Sequence, residues 1–461
     1  MKMKQTVFPG CGRPNGRLVL AIFCVLGAAC GGGSGSTPPA DTTTDGTADS
    51  APPAPTCDAT RRPIVFAHGF LAAGDTFANH AMRFEANGYC LDRIVAFDWN
   101  TLDQDYDHAA DLDAIIAAVL ADTGADRVDL AGHSAGGGLG YTYLGTSEYA
   151  AKVAHYAHIG SYGQTGPAGA TGEVATLNLW SEGDLIIETK GDIPGATNVK
   201  LTDADHYSVA TSAESFDAIY RFFNDGEAPS TTAIQPHPAR TLAGKVLTLG
   251  ENLRGVGVTV DIYACDSGTG FRQNDTPIES LVTDQEGHWG PFDAAEGVAY
   301  EFHIHSDKAD DRPIHYYFEP FERSNPFVYL RTLPGPGSLA GMLMSSLPQP
   351  EDATTLVVFS ASAAMFAGTD SLTNNGFELL TADSAKPEDT LLALFLYDVN
   401  ENGETDGEPA ALFSVLPFLN GLDVHIPSGD PESVPLVFNG RALNIRNWST
   451  ALDGPVIAVF R

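Results

Sequence analysis

Val128-Asp-Leu-Ala-Gly-His-Ser-Ala-Gly136 is the stretch on which the reading of this chain turns. Val128–Ala131 is a short apolar run of strand character, and a helical stretch opens after it toward Leu144. Between them, Gly132-His-Ser-Ala-Gly136 matches G-x-S-x-G. Its glycines permit a tight strand-to-helix turn that lifts Ser134 above a sheet, next to a helix N-terminus. A serine hydroxyl is a weak nucleophile near neutral pH, so it needs a base, and the base needs an acid to orient it.

On both sides of this turn, short apolar runs alternate with amphipathic helical stretches. The runs are Ile64–Ala67, Ile94–Phe97, Val128–Ala131, Val153–Ile159, Ala175–Trp180 and Asn198–Leu201; Asp111–Leu120 is one of the helical stretches. This alternation predicts an α/β fold with a doubly wound, mostly parallel sheet over 57–228, closed by a helix near Ser212–Asn224. After Glu227 the helical period disappears. Runs such as Val246–Leu249, Val258–Tyr263, Tyr300–His305 and Leu391–Tyr397 are separated by Gly, Pro, Asn and Asp turns. Residues 229–461 therefore read as all-β, either a barrel or two sandwich-like units over 240–308 and 309–461.

The base and acid follow from chain order. Asp184 lies just past the strand Ala175–Trp180, where a carboxylate can orient an imidazole. His206 lies past the next strand and before the last helix. Both fit the order Ser, Asp, His for such a sheet. Glu182, Asp192, Asp203 and Asp205 are rival acids with the ordinary reading of solvated loop residues, and His158, at a strand exit, is the rival base to set against His206. The oxyanion of an acyl-transfer transition state needs backbone donors. The N–H groups of Ala135, directly after the nucleophile, and of Phe70, in Ala67-His-Gly-Phe70, are the candidates, with Gly69 allowing close approach.

His68-Gly-Phe70, Gly132–Gly136 and Asp205-His-Tyr207 resemble the α/β-hydrolase esterases and lipases. Met82–Tyr89, Ala151–His155, Ala196–Val199 and Ile314–Tyr317 are similar to an archaeal lipase with a hydrolase domain followed by a C-terminal β-barrel that handles lipid-like substrate. The resemblance implies a carboxylic-ester hydrolase with an acyl-enzyme intermediate, Ser134 as nucleophile, His206 as base, and Phe70 and Ala135 as oxyanion donors. The chain departs from it at two places. Where that lipase takes its acid, this chain has Gly160-Ser161, which leaves the role to Asp184. Where it carries a long helical lid, this chain has only Asp98–Tyr106. Tyr316, Tyr317, Phe318 and Phe321 read either as an acyl-binding face or, as the ordinary case, as buried β core.

With 59 acidic against 25 basic residues the net charge is −34, which repels nucleic acid and anionic headgroups. The first 29 residues run against this balance: Lys2, Lys4, Arg13 and Arg17 precede an apolar run, Leu18–Ala29, of signal-peptide length. Leu26-Gly-Ala-Ala-Cys30 resembles a bacterial lipobox, so residues 1–30 predict export, either with lipidation at Cys30 and membrane anchoring or with plain secretion. Residues 31–56 form a Gly, Ser, Thr, Pro and Asp tether that cannot bury enough surface to fold. Cys57 and Cys90 precede strands expected to be sheet neighbours, which predicts a disulfide in an oxidising compartment and leaves Cys265 as a buried apolar side chain.

Asp398-Val-Asn-Glu-Asn-Gly-Glu-Thr-Asp406 has oxygen side chains at alternating positions before Gly403, like the front half of a calcium loop. Asp398, Asn400, Asn402 and Asp406 are the candidate ligands of a structural calcium ion, set against an Asx-rich hairpin turn. No cofactor is expected for catalysis, and the partner expected is a lipid or small ester substrate. Hydrolysis of polyester, amide or surface-polymer ester bonds is the alternative chemistry. A surface binding protein with a vestigial hydrolase domain is the alternative outside enzymes.

Overall fold

In the computed structural model the described residues are 57–103, 105–308, 311–335, 337–413, 418–429 and 433–461; the expected signal segment, Cys30 and the tether lie outside them. Six strands form the first sheet: β1 (Ile64–Ala67), β2 (Ile94–Phe97), β3 (Val128–His133), β4 (Val153–Ile159), β5 (Ala175–Ser181) and β6 (Thr197–Leu201). Their order is β2-β1-β3-β4-β5-β6, and every pair is parallel. The helices of this part are α1 (Ala78–Ala86), α2 (His108–Thr123), α3 (Ala135–Leu144), α4 (Ser147–Ala150), α5 (Ser208–Thr211) and α6 (Ala213–Phe223); two short ones, Leu339–Ser345 and Thr450–Asp453, lie among the later strands.

Strand alternation assigns the two faces of this sheet. Ile64 and Phe66 join one apolar cluster with Phe84 of α1 and Phe216, Ile219 and Tyr220 of α6. Val65 and Leu130 join another with Leu112 and Ile116 of α2 and Leu139 and Tyr143 of α3. Helices thus cover both faces, and each fully buried Phe or Leu contributes about 1.5–3 kcal/mol. α2 shows why its bounds fall where they do. Asp107 caps its N-terminus by accepting from the Ala110 N–H, and Gly124 ends it in the left-handed region at φ 66°. Cys57 and Cys90 are bonded to each other, and Cys265 is free and buried.

The C-terminal strands are β7 (Thr241–Thr248), β8 (Thr259–Cys265), β9 (Glu279–Val282), β10 (His288–Asp293), β11 (Ala299–His305), β12 (Ile314–Phe318) and β13 (Leu330–Thr332). They continue with β14 (Leu356–Ser360), β15 (Leu372–Asn374), β16 (Phe377–Glu378), β17 (Ala393–Tyr397), β18 (Leu419–Asp423), β19 (Ser433–Phe438), β20 (Arg441–Arg446) and β21 (Val456–Phe460). Eight of them form one sheet in the order β18-β17-β14-β21-β12-β11-β8-β9, beside a three-stranded sheet β10-β7-β13 and a four-stranded sheet β16-β15-β19-β20. Leu242, Val246 and Trp289 pack on Phe302, Ile304 and Tyr316. Leu372, Leu436 and Leu443 pack on Leu356, Leu394 and Val456.

The C-terminal region is thus built of three sheets of strands that pack on one another. One sheet draws strands from both of the stretches 240–308 and 309–461. β8 and β11, from the first stretch, continue through the β11–β12 pair into the strands of the second.

The β-region is also joined to the α/β part. Leu247, Phe327 and Tyr329 belong to the same apolar cluster as Phe66 and Phe77. Around that cluster, Arg331 pairs with Asp75 at 2.6 Å, Lys245 with Asp98 at 2.7 Å and Arg323 with Glu85 at 2.5 Å. Removing one member of such a sheltered pair leaves an uncompensated charge, so these pairs fix how the two regions dock.

Candidate active site

Ser134 stands between β3 and α3 with φ 52° and ψ −117°. A non-glycine residue rarely holds a positive φ, and here its surroundings enforce it. A Cβ added to Gly132 would lie 2.3 Å from the Gly136 carbonyl oxygen; one on Gly136 would lie 2.3 Å from the Ala67 oxygen. Both glycines of the motif are therefore demanded by close approach of backbone to backbone. The Ser134 N–H donates to the Ile159 carbonyl at 2.9 Å, and its carbonyl accepts from the Gly137 N–H at 2.9 Å and Ser161 Oγ at 2.8 Å.

The loop after β1 reaches the same place. A Cβ on Gly69 would lie 3.0 Å from Ser134 Cβ and 3.1 Å from His133 Nδ1. Among the described residues neither the Phe70 nor the Ala135 N–H donates a hydrogen bond, so both remain available to an oxyanion. His68, buried in this loop, accepts from the Trp99 N–H at 3.1 Å and faces the Asn252 amide at 3.3 Å. Asn252 also donates to the Ala72 and Trp99 carbonyls at 2.7 and 3.0 Å, so a β-region residue braces the loop that carries Phe70.

Asp184 follows β5 and His206 follows β6, and the two meet: His206 Nδ1 is 2.9 Å from Asp184 Oδ2, with both residues buried. Asp184 Oδ1 accepts from the Ile186 and Ile187 N–H groups at 3.0 and 3.1 Å. Burial pushes this carboxyl up, but His206 and the two amides outweigh it and hold Asp184 below the ordinary carboxylate range. The other imidazole face packs toward the elbow. His133, the residue before Ser134, has its ring 4.8 Å from that of His206 and its Nε2 2.9 Å from the His206 carbonyl oxygen. Burial, followed by the His206 charge, drives His133 down to about 3 and keeps it neutral. Phe418 of the β-region stacks on His206 at 6.0 Å.

The rivals are engaged elsewhere. His158 Nε2 lies 3.0 Å from the Tyr162 carbonyl and Nδ1 lies 3.2 Å from the Tyr156 hydroxyl; burial lowers it to about 4. Glu182 pairs with Lys200, Asp192 accepts from the Trp180 indole, and Asp205 accepts from the Tyr207 and Ser208 N–H groups. Asp203 is a turn residue at φ 56°.

A cavity of about 260 Å³ opens beside Phe70. Leu71 and Tyr207 line it from the α/β side, and Phe318, Phe359, Phe395 and Phe418 from the β side. Its wall is predominantly apolar. The four aromatics named from the sequence divide between two places. Tyr316 and Phe318 line this cavity, whereas Tyr317 bonds Glu301 from the other face of β12 and Phe321 sits in the β core.

The 398–406 loop folds on its own oxygens. Asp398 accepts from the Asn402 and Gly403 N–H groups at 3.1 and 2.8 Å, and Asn402 donates to Asp406 at 3.2 Å. The Asn400 amide lies 2.9 Å from Asp406 Oδ2 and 2.8 Å from Asp423 Oδ2. Asp423, on β18, thus adds a carboxylate that local spacing did not reveal. Burial, then Asp398 and Asp406, raise its pKa.

The sequence pattern assigned no role to Asn252, Phe418, His133 or Ser161. His133 sat in plain view as a variable position of G-x-S-x-G; the other three reach the site only through tertiary contact.

The class 2 lipase family model matches residues 61–146, which hold the Gly69 loop and Ser134; the lipase C-terminal domain model matches 239–333, which holds Asn252 and Arg331. A further C-terminal domain model matches 355–456. Among solved structures, a lipase of Bacillus licheniformis in mature form is 17% identical, over 37% of this chain and 96% of its own, with TM-score 0.30. An esterase from a Rhodococcus species is 15% identical, over 37% and 94%, with TM-score 0.30. A predicted CIB-like hydrolase from Thermoplasma acidophilum is 17% identical, over 37% and 88%, with TM-score 0.28. With lipase family matches on both the catalytic and the C-terminal parts, the chain is a lipase-like α/β-hydrolase, an enzyme that cleaves carboxylic esters.

Proposed function

We propose that this enzyme hydrolyses long-chain esters through Ser134, His206 and Asp184. His206 takes the Ser134 hydroxyl proton as Oγ attacks the acyl carbon, and the Phe70 and Ala135 N–H groups receive the oxyanion. The imidazolium then returns the proton to the departing alkoxide. Water, deprotonated by His206, attacks the acyl-enzyme and releases the acid. Asp184, held ionised, orients the ring and stabilises the imidazolium.

The observation that carries this reading is the buried 2.9 Å contact of His206 with Asp184, beside the Ser134 elbow. The apolar cavity next to Phe70 supports an acyl chain as its occupant, sheltered by the β-region in place of a long lid. No catalytic cofactor enters these steps. A calcium ion held by Asp398, Asn400, Asn402, Asp406 and Asp423 fits their oxygen chemistry and would brace the β17–β18 turn. The Cys57–Cys90 bond supports export. In this reading residues 1–30 direct export, with lipidation at Cys30, and residues 31–56 hold the enzyme off the membrane.

The test is covalent labelling with a fluorophosphonate. One label per chain is expected, absent in Ser134→Ala and strongly slowed in His206→Ala. Labelling that survives Ser134→Ala would refute the assignment.

A further inference from the structure

We propose that Asp261, His303 and His305 form a binding site for a divalent transition-metal ion of the zinc class, on the face of the β8–β11 pair turned away from the Phe302–Ile304 core. β8 and β11 are antiparallel, and their register sets Asp261 directly opposite His303. His305 lies two residues further along the same strand, so its side chain shares that face. One ligand atom from each residue falls within a sphere of mutual separation of 4.8 Å, and the Asp261 Oδ2 to His305 Nε2 distance is 3.0 Å. Zinc–nitrogen and zinc–oxygen bonds of about 2.0–2.1 Å put neighbouring ligands of a tetrahedron about 3.3 Å apart, so only small side-chain rotations separate this arrangement from a closed site.

His303 is the group an ordinary ion pair leaves unexplained. Among the described residues neither of its ring nitrogens makes a hydrogen bond, yet the ring is held. It stacks on His315 at 4.5 Å and 11°. His315 is fixed in turn by Glu301 at 2.6 Å and the Asp453 carbonyl at 3.0 Å. Arg272, the neighbouring cation, is engaged by both Glu301 oxygens, at 2.6 and 2.9 Å. Two imidazoles and one carboxylate suit zinc and its first-row neighbours, whereas calcium prefers oxygen alone. With His305 37% exposed, a position is left for water. Among the described residues this is the one group of three or more His, Cys, Asp or Glu side chains so placed. It is built from the β-region alone and uses none of the residues assigned to ester cleavage.

The experiment is titration of the full chain with zinc followed by calorimetry, and with cobalt(II) followed by visible absorption. Expected are one zinc per chain and the ligand-field bands of tetrahedral or five-coordinate cobalt. His305→Ala and Asp261→Asn should each weaken zinc at least about tenfold and remove the bands, while p-nitrophenyl butyrate turnover stays at the wild-type level and reports an intact fold. Absence of saturable binding by the wild-type chain would overturn the proposal. So would binding and bands that both variants leave unchanged.

Discussion

Substituting Gly69 by alanine probes how tightly the loop after β1 is fitted to Ser134, the proposed nucleophile. Gly69 has an ordinary φ, so alanine is felt as a clash rather than as backbone strain. The new Cβ would stand 3.0 Å from Ser134 Cβ and 3.1 Å from His133 Nδ1, with the buried elbow on one side. Relief needs a displacement of a few tenths of an ångström, and the freer partner is the loop carrying the Phe70 N–H. A misplacement of about 1 Å costs about a hundredfold in rate, and loss of one oxyanion donor about a hundred- to a thousandfold. Gly69→Ala should therefore lower kcat by about ten- to a hundredfold, or ~1.4–2.7 kcal/mol of transition-state stabilisation.

The assay is steady-state hydrolysis of p-nitrophenyl butyrate, with KM and the thermal midpoint measured alongside. KM and the midpoint should change little. Gly138→Ala on α3 is the matched control, since a Cβ there meets nothing within 4 Å. It should leave kcat alone and stabilise the helix by up to about 1 kcal/mol. A Gly69→Ala enzyme that is folded and fully active would refute the claim that this loop supplies an oxyanion donor in fixed register with Ser134.

Asp184→Asn keeps an acceptor for the Ile186 and Ile187 amides but removes the charge that stabilises the imidazolium; kcat should fall by about a thousandfold or more, with the folded state retained by circular dichroism. Buried Glu301 resists ionisation by burial, but His315 and Arg272 overcome this and lower it to about 2 from the ordinary 4.5. Its contribution, on the order of 3 kcal/mol, is complete above pH ~4.5 and is lost as pH falls toward ~2. Denaturant titrations across that window should show a steep loss of stability, flattened in Glu301→Gln. Calcium should raise the thermal midpoint by about a few degrees and chelator should reverse it, with the response lost in Asp406→Asn; a midpoint indifferent to calcium would leave the 398–406 segment as a hydrogen-bonded turn.

The parts of this molecule that are local in the chain were the legible ones. Gly132 to Gly136 encode the elbow because strand, turn and helix are contiguous. That Asp184 and His206 would come together could be expected because each follows a strand of recognisable pattern, and parallel strands deliver their carboxyl ends to one edge. Cys57 and Cys90 paired for the same reason, since the strands after them are neighbours. What could not be read is what distant segments contribute. Nothing around Asn252 or Phe418 marks them as neighbours of His68 and His206, because those contacts arise only when the β-region docks through Arg331, Lys245 and Arg323. The continuity of the long sheet was hidden likewise. β12 pairs with β21 across more than a hundred residues, and hydrophobic alternation specifies which face is buried but not which strand is the partner. The cavity wall was hidden for the same reason: Phe359, Phe395 and Phe418 line it from far along the chain, together with Ala340 and Met344 of the helix Leu339–Ser345.

Initial rates on p-nitrophenyl esters from acetate to palmitate, for the wild-type enzyme and Ser134→Ala, separate ester cleavage at Ser134 from acyl binding in the cavity. Turnover should vanish with Ser134, and kcat/KM should rise with chain length as the acyl chain fills the cavity beside Phe70. A Ser134-dependent preference for acetate would contradict the acyl-binding role of the cavity. Turnover of none of the esters by a folded wild-type enzyme would contradict the catalytic assignment itself.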